Sequence, residues 1–213
     1  VLRNEARREV LGNAASLLRR LADFVGGALH QHPDYDALAT VDGMCRSLLQ
    51  DINDGVQEAE VEHPASLARH DPLVARLPGL LRRIRSDVIF IGRAAVEGET
   101  ARTGDILAHE RDVLGQVLGQ MAARGDQMAT TRRGRRLAGD DMGGLLDHLQ
   151  PPGEHWTPVM RFALGLLHAD MRLAIRNIWS DGQTDDGPFP PVAHPVLAEA
   201  AFVPISPGNS VER

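Results

Sequence analysis

Apolar residues recur along this chain at steps of three and four, the period of a helix that buries one face. Residues 2 to 30 show it first, through Val10, Ala14, Leu17, Leu18, Leu21, Val25, Ala28 and Leu29. Gly26 and Gly27 weaken the end of this segment, and Pro33 in "HQHPDYD" disfavours helix at the residue before it. Asp34 or Asp36 can cap a second helix over residues 36 to 60, whose stripe is Leu38, Val41, Cys45, Leu48, Ile52, Val56 and Ala59. A third helix spans residues 72 to 97, with Leu73, Leu77, Leu80, Leu81, Ile84, Val88, Ile91 and Ala95 on one face. Pro78 should kink it or delay its start. Taken alone, "VIFI" (residues 88 to 91) reads as a buried strand, but its long helical setting and the lack of a partner strand favour helix.

The fourth helix is expected over residues 105 to 129, through Ile106, Val113, Leu114, Val117, Leu118, Met121 and Met128. A polar, Gly-rich loop follows, with a helical turn or short helix near residues 141 to 150. Thr157-Pro158 opens or kinks the last long helix, which runs to about Trp179 and carries Val159, Phe162, Leu166, Leu167, Met171, Ala174, Ile175 and Ile178. Pro188, Pro190, Pro191, Pro195, Pro204 and Pro207 then exclude another long helix. The fold class expected is all-α: an antiparallel bundle of about five helices over residues 1–181, with a Pro-rich extended tail over residues 182–213.

Composition supports this picture. Aromatic residues are 4% of the 213, so the core must be aliphatic, which suits helices better than a β-sandwich. A chain of this length can bury a core without staples, and the lone Cys45 excludes an internal disulfide. Net charge is −6, which does not attract nucleic acid, although all 23 basic residues are Arg. No apolar run reaches the length of a membrane span.

Candidate chemistry is sparse. Glu60-x-x-His63 has the spacing of a bundle di-iron ligand pair, but no second copy occurs and Pro64 places it at a helix end. His30 and His32 share a loop, and Asp105 and His109 lie one turn apart at a helix start, where the helix dipole explains the carboxylate. No metal site or cofactor is expected. Cys45, the one possible thiol nucleophile, falls on an apolar stripe and reads as an inert core residue. With no nucleophile-elbow, zinc-protease, dinucleotide or phosphate-loop motif, no catalytic residue is assigned and no enzyme is expected. Arg132, Arg133, Arg135 and Arg136 form the densest basic cluster, a solvated loop or one facing an anionic membrane surface. Arg85, Asp87 and Arg93 are read as interhelical ion-pairing residues.

One stretch carries a family resemblance. "LLRRIRSDVIFIGRAA" resembles the segment of fusaric-acid-resistance-type proteins, the aromatic acid exporters of the inner membrane, that reads Leu-Arg-x-Asp-Leu-Val-x-Leu-Gly-Arg-Ala. The matching residues are Ile84, Arg85, Asp87, Val88, Ile89, Ile91, Gly92, Arg93 and Ala94. "MRFALGLLHADMRLAIRNIWSD" is similar to a later helix of that family, and "RNEARREVLGNAASLLRRLADFV" to the helix that leaves its first membrane half.

The resemblance implies an efflux transporter of weak aromatic or organic acids, of which this chain is an excised domain on the cytoplasmic side of the inner membrane. Its implied partners are the two membrane halves of the same parent protein, a periplasmic adaptor through that parent, and a second copy in a homo-oligomer; no nucleic acid is implied. Its role would be structural, regulatory or oligomerising, with no cofactor. Arg85, Asp87, Gly92 and Arg93 form the family-like signature: Gly92 for close helix approach, Arg93 with Asp87 for pairing. The competing expectation is a free-standing helical sensor or binding module for small organic acids, whose arginines capture a carboxylate.

Overall fold

A computed structural model describes residues 2–30, 32–62, 72–97, 108–130, 144, 147 and 157–176. Five long helices account for nearly all of them: α1 (Leu2–Ala28), α2 (Tyr35–Glu62), α3 (Pro72–Glu97), α4 (Ala108–Thr130) and α5 (Pro158–Ala174). No strand occurs among the described residues, so residues 88 to 91 are helical. The Pro-rich tail and the basic loop at residues 132–136 lie outside the described residues. So does most of the segment at residues 141–150, of which 144 and 147 are helical.

The helix starts are set by local chemistry. Asp34, not Asp36, caps α2: its Oδ1 accepts from the amides of Asp36 at 3.1 Å and Ala37 at 3.0 Å. Thr157 caps α5, its Oγ1 accepting from the amide of Met160 at 3.2 Å, and Pro158 stands at the first turn, where its missing N–H costs nothing. Thr157-Pro158 therefore opens the helix. Pro78 does not delay α3, which begins at Pro72 and carries Pro78, buried, in its interior.

α1 is central. It packs most extensively along α4 and α2, and it also meets α3; α3 in turn holds α5 and meets α2. The registers are antiparallel. Gly27 of α1 lies against Leu38 of α2, and Val10 against Gly55. Arg7 of α1 donates to the carbonyl of Met128 at 2.9 Å, while Leu11 and Ala15 lie against Gly125. On the other side, Arg83 of α3 pairs with Asp170 of α5, and Phe90 with Phe162.

Close approach explains several small residues. A Cβ at Gly55 would sit 2.9 Å from Val10, and one at Gly92 would sit 2.9 Å from the ring of Phe24, itself fully buried. The core is aliphatic: leucines at 11, 17, 18, 21, 77, 81 and 114 and isoleucines at 52, 84 and 91 are all but inaccessible. Burial of this kind, at about 25 cal/mol per Å² of apolar surface, is what holds such a bundle together.

Two predicted stripes are displaced. On α2 the buried line is Leu38, Asp42, Cys45, Leu49, Ile52 and Val56; Val41 and Leu48 sit beside it, only partly buried. On α5 the buried face is Met160, Ala163, Leu164, Leu167, Asp170, Met171 and Ala174, while Val159 is 40% and Phe162 61% exposed. The cause is the same in both. An aspartate occupies a core-facing position because an arginine on α3 meets it there, and a pattern read from apolar residues alone cannot register a buried carboxylate.

Candidate functional site

Among the described residues, the buried charges Asp42, Arg85, Asp87 and Asp170 gather at the seams of α3, while Glu110 and Arg124 are buried on α4. On the side facing α2, the Arg85 Nη2 donates to Asp42 Oδ1 at 2.6 Å, with Asp42 1% exposed. Arg46, one turn along α2, reaches the other Asp42 oxygen at 3.4 Å from its largely exposed side chain. Asp42 is therefore shared by two guanidinium groups. The Arg85 Nε has no partner among the described residues, so the guanidinium is committed through one edge.

On the side facing α5, Arg83 grips Asp170 with both ends of its fork. Its Nε donates to Oδ2 at 3.0 Å and its Nη2 to Oδ1. Asp170 is 3% exposed and Asp87, one turn from Arg83, is 8% exposed. Asp87 and Asp170 lie close enough across this seam for each carboxyl to feel the other. Burial, then the adjacent Asp170 carboxyl, push the Asp87 carboxyl up to about 8, against the opposing pull of Arg83. The neutral form of Asp87 is thus favoured well beyond that of an ordinary carboxylate.

Three of the four signature residues face three different seams. Arg85 goes to α2, Asp87 to α5 and Gly92 to α1, where Phe24 and Ala28 press against it. Arg93 is half-buried. It does not share a face with Asp87, since six residues carry a helix about 240° around its axis. The charges acting on Asp87 are those of Asp170 and Arg83, so the expected pairing of Asp87 with Arg93 is replaced by pairing across the α3–α5 seam.

The sequence reading missed four residues of this network: Asp42, Arg46, Arg83 and Asp170. A signal for two of them existed. Asp42 fills the gap in the series 38, 45, 49, 52, 56, and Asp170 the gap in 160, 163, 167, 174. A lone acidic residue at a core position of an otherwise apolar series asks for a buried partner.

Among the described residues, the other candidates form no site. No group of three or more His, Cys, Asp or Glu residues among the described residues is placed to hold a metal ion. Glu60 lies in the last turn of α2, while His63 and Asp105 are outside the described residues. His30 accepts a hydrogen bond at Nδ1 from the amide of His32 at 3.2 Å, which makes that pair a local turn contact. His109 is exposed. Cys45 is buried beside Asp42, and burial first, then that carboxylate, push its thiol up to about 12. It carries almost no thiolate at neutral pH, the form a nucleophile needs.

No described helix is long and apolar enough to cross a membrane. Comparisons of the chain with protein-family models, with curated proteins and with solved structures find no match.

Proposed function

We propose that this chain is a helical domain of an inner-membrane exporter of weak aromatic or organic acids, serving on the cytoplasmic side as a structural and assembly element and not as a catalyst. What carries the reading is the use made of α3, the helix with the family-like segment. Its Arg85, Asp87 and Gly92 each meet a different neighbouring helix. A segment so committed to packing suits a domain that gives shape to a larger protein, whose transport path would lie in membrane halves of the same parent. A periplasmic adaptor and a second copy of the parent are the partners such an assembly would take. The absence of a thiolate at Cys45 supports a non-catalytic role for that residue.

The test is accumulation of a labelled hydroxybenzoate in cells of the source organism, with the parent gene intact and disrupted. Disruption should raise the intracellular level several-fold, and the intact gene supplied in trans should restore it. An unchanged level on disruption would overturn the exporter reading and favour a free-standing binding module.

A further inference from the structure

The outer side of α5 carries a second apolar stripe. Val159, Phe162, Leu166, Ala169 and Leu173 step by 3, 4, 3 and 4, the spacing of a helix face that meets another helix. They lie on the side away from Met160, Ala163, Leu167 and Met171, which face the core. Val159, Phe162 and Ala169 are exposed, and Leu166 and Leu173 are half-buried. α5 packs mainly on α3, where Phe90 touches Phe162 and extends the apolar patch at its edge. One exposed apolar residue needs no explanation, but a register of them along a helix marks a contact surface.

The exposed charges of this helix have one sign. Arg161, Arg172 and Arg176 are exposed, whereas the one acid of α5, Asp170, is buried. Arg172 is paired with Asp147, but Arg161 makes no ion pair among the described residues. Two α5 stripes laid together would set arginines against arginines, which disfavours self-pairing.

α2 offers the counterpart. On the side opposite its buried line, Ala37, Thr40, Met44 and Ser47 keep the same spacing and are all exposed. The stripe continues through Asp51, Asp54 and Glu58, also exposed. Asp54 accepts from Gln50 at 2.7 Å, and Asp51 and Glu58 make no ion pair among the described residues. Laid antiparallel, the two stripes match layer by layer. Phe162 meets Ser47, Leu166 meets Met44 and Leu173 meets Ala37, so large side chains fall mostly on small ones. The same register brings Arg161 to the acidic end of α2, beside Asp51 and Asp54.

We propose that the α5 face of one copy of this chain docks antiparallel on the α2 face of a second copy. A second copy is selected over an unrelated helix because both halves of the match, apolar spacing and opposite charge, are present on one chain. Within one copy the two faces point outward from the bundle and do not meet. The contact joins two different faces, so it is heterologous, and each copy keeps a free face for a further one. The inference does not rest on the exporter reading.

The experiment is sedimentation velocity of the 213-residue chain. It is run from about 5 μM to about 1 mM, a range that captures a small interface. The mean mass of the native chain should rise with concentration. Phe162→Asp and Met44→Asp should each associate about tenfold more weakly or less still, because a charge then sits in the contact. An equimolar mixture of those two variants should form pairs, since each supplies the face that the other lacks. Arg161→Glu should weaken association about fivefold or more. Phe162 and Met44 are 61% and 45% exposed, so both variants should fold. Should Phe162→Asp lose its helical circular dichroism, Ala169→Glu on the same stripe takes its place. A native chain that stays monomeric up to the highest concentration would overturn the proposal, and so would a mixture that stays monomeric. A Met44→Asp chain that associates as the native one does would overturn it too, in favour of α5 pairing with itself. Unchanged association of Arg161→Glu would overturn the antiparallel register.

Discussion

At the residue scale, the fold asks for small side chains at a few places and tolerates them elsewhere. Gly92 is the clearest demand, since an added Cβ would meet the buried ring of Phe24 at 2.9 Å. Gly119, exposed on α4, meets nothing within 4 Å. Gly92→Ala should therefore destabilise the protein by about 1–3 kcal/mol through overpacking, in spite of the better helix propensity of Ala. Gly119→Ala should stabilise it by roughly 0.5–1 kcal/mol, because only the propensity changes. Urea denaturation midpoints of the two variants give the comparison, and equal shifts would contradict the assigned close approach.

The same scale separates the two kinds of phenylalanine. Phe24 is 1% exposed between α1 and α3, whereas Phe162 is 61% exposed and touches Phe90 edge-on, with ring centroids 6.2 Å apart. Phe24→Ala should cost about 3–5 kcal/mol, the range for an aromatic removed from a core. Phe162→Ala should cost no more than about 1 kcal/mol, the worth of one edge-to-face pair. A loss at Phe162 as large as that at Phe24 would mean that the orientation of α5 is wrong.

At the element scale, all five helices were legible in the apolar spacing, although the predicted start of the fourth at residue 105 and the predicted end of the last near Trp179 lie outside the described residues. α1 was read almost completely: each of the eight residues in its predicted stripe is buried. α5 was read least well, because Val159 and Phe162 look like core residues and Asp170 does not. The helix turns the other way because Arg83 offers Asp170 a two-pronged partner inside the seam, while Phe162 finds enough cover against Phe90 at the surface. α2 shows the smaller version of this, with Asp42 in the buried line and Val41 at its edge. Periodicity reports where apolar surface lies along one helix. It carries no information about which charge on another helix will meet a carboxylate, and so the network around α3 could be suspected from Arg85 and Asp87 but not assembled.

At the scale of the whole molecule, α3 joins the two sides of the bundle. It meets α1 through Gly92, α2 through Arg85 and α5 through Arg83 and Asp87. The central claim is that these charges are buried fastenings between helices. A double-mutant cycle on Asp42 and Arg85 tests it most directly, with stability measured for the native chain, Asp42→Ala, Arg85→Ala and the double variant. Asp42→Ala strands the Arg85 charge at the α2–α3 seam and should cost about 3–5 kcal/mol; Arg85→Ala leaves Asp42 with the more distant Arg46 and should cost less, and the double change should cost clearly less than the sum of the two. A coupling of about 2 kcal/mol or more is the expected result. Single costs near zero, or costs that simply add, would contradict the account, because Arg85 would then be free for some task other than holding α3 to α2.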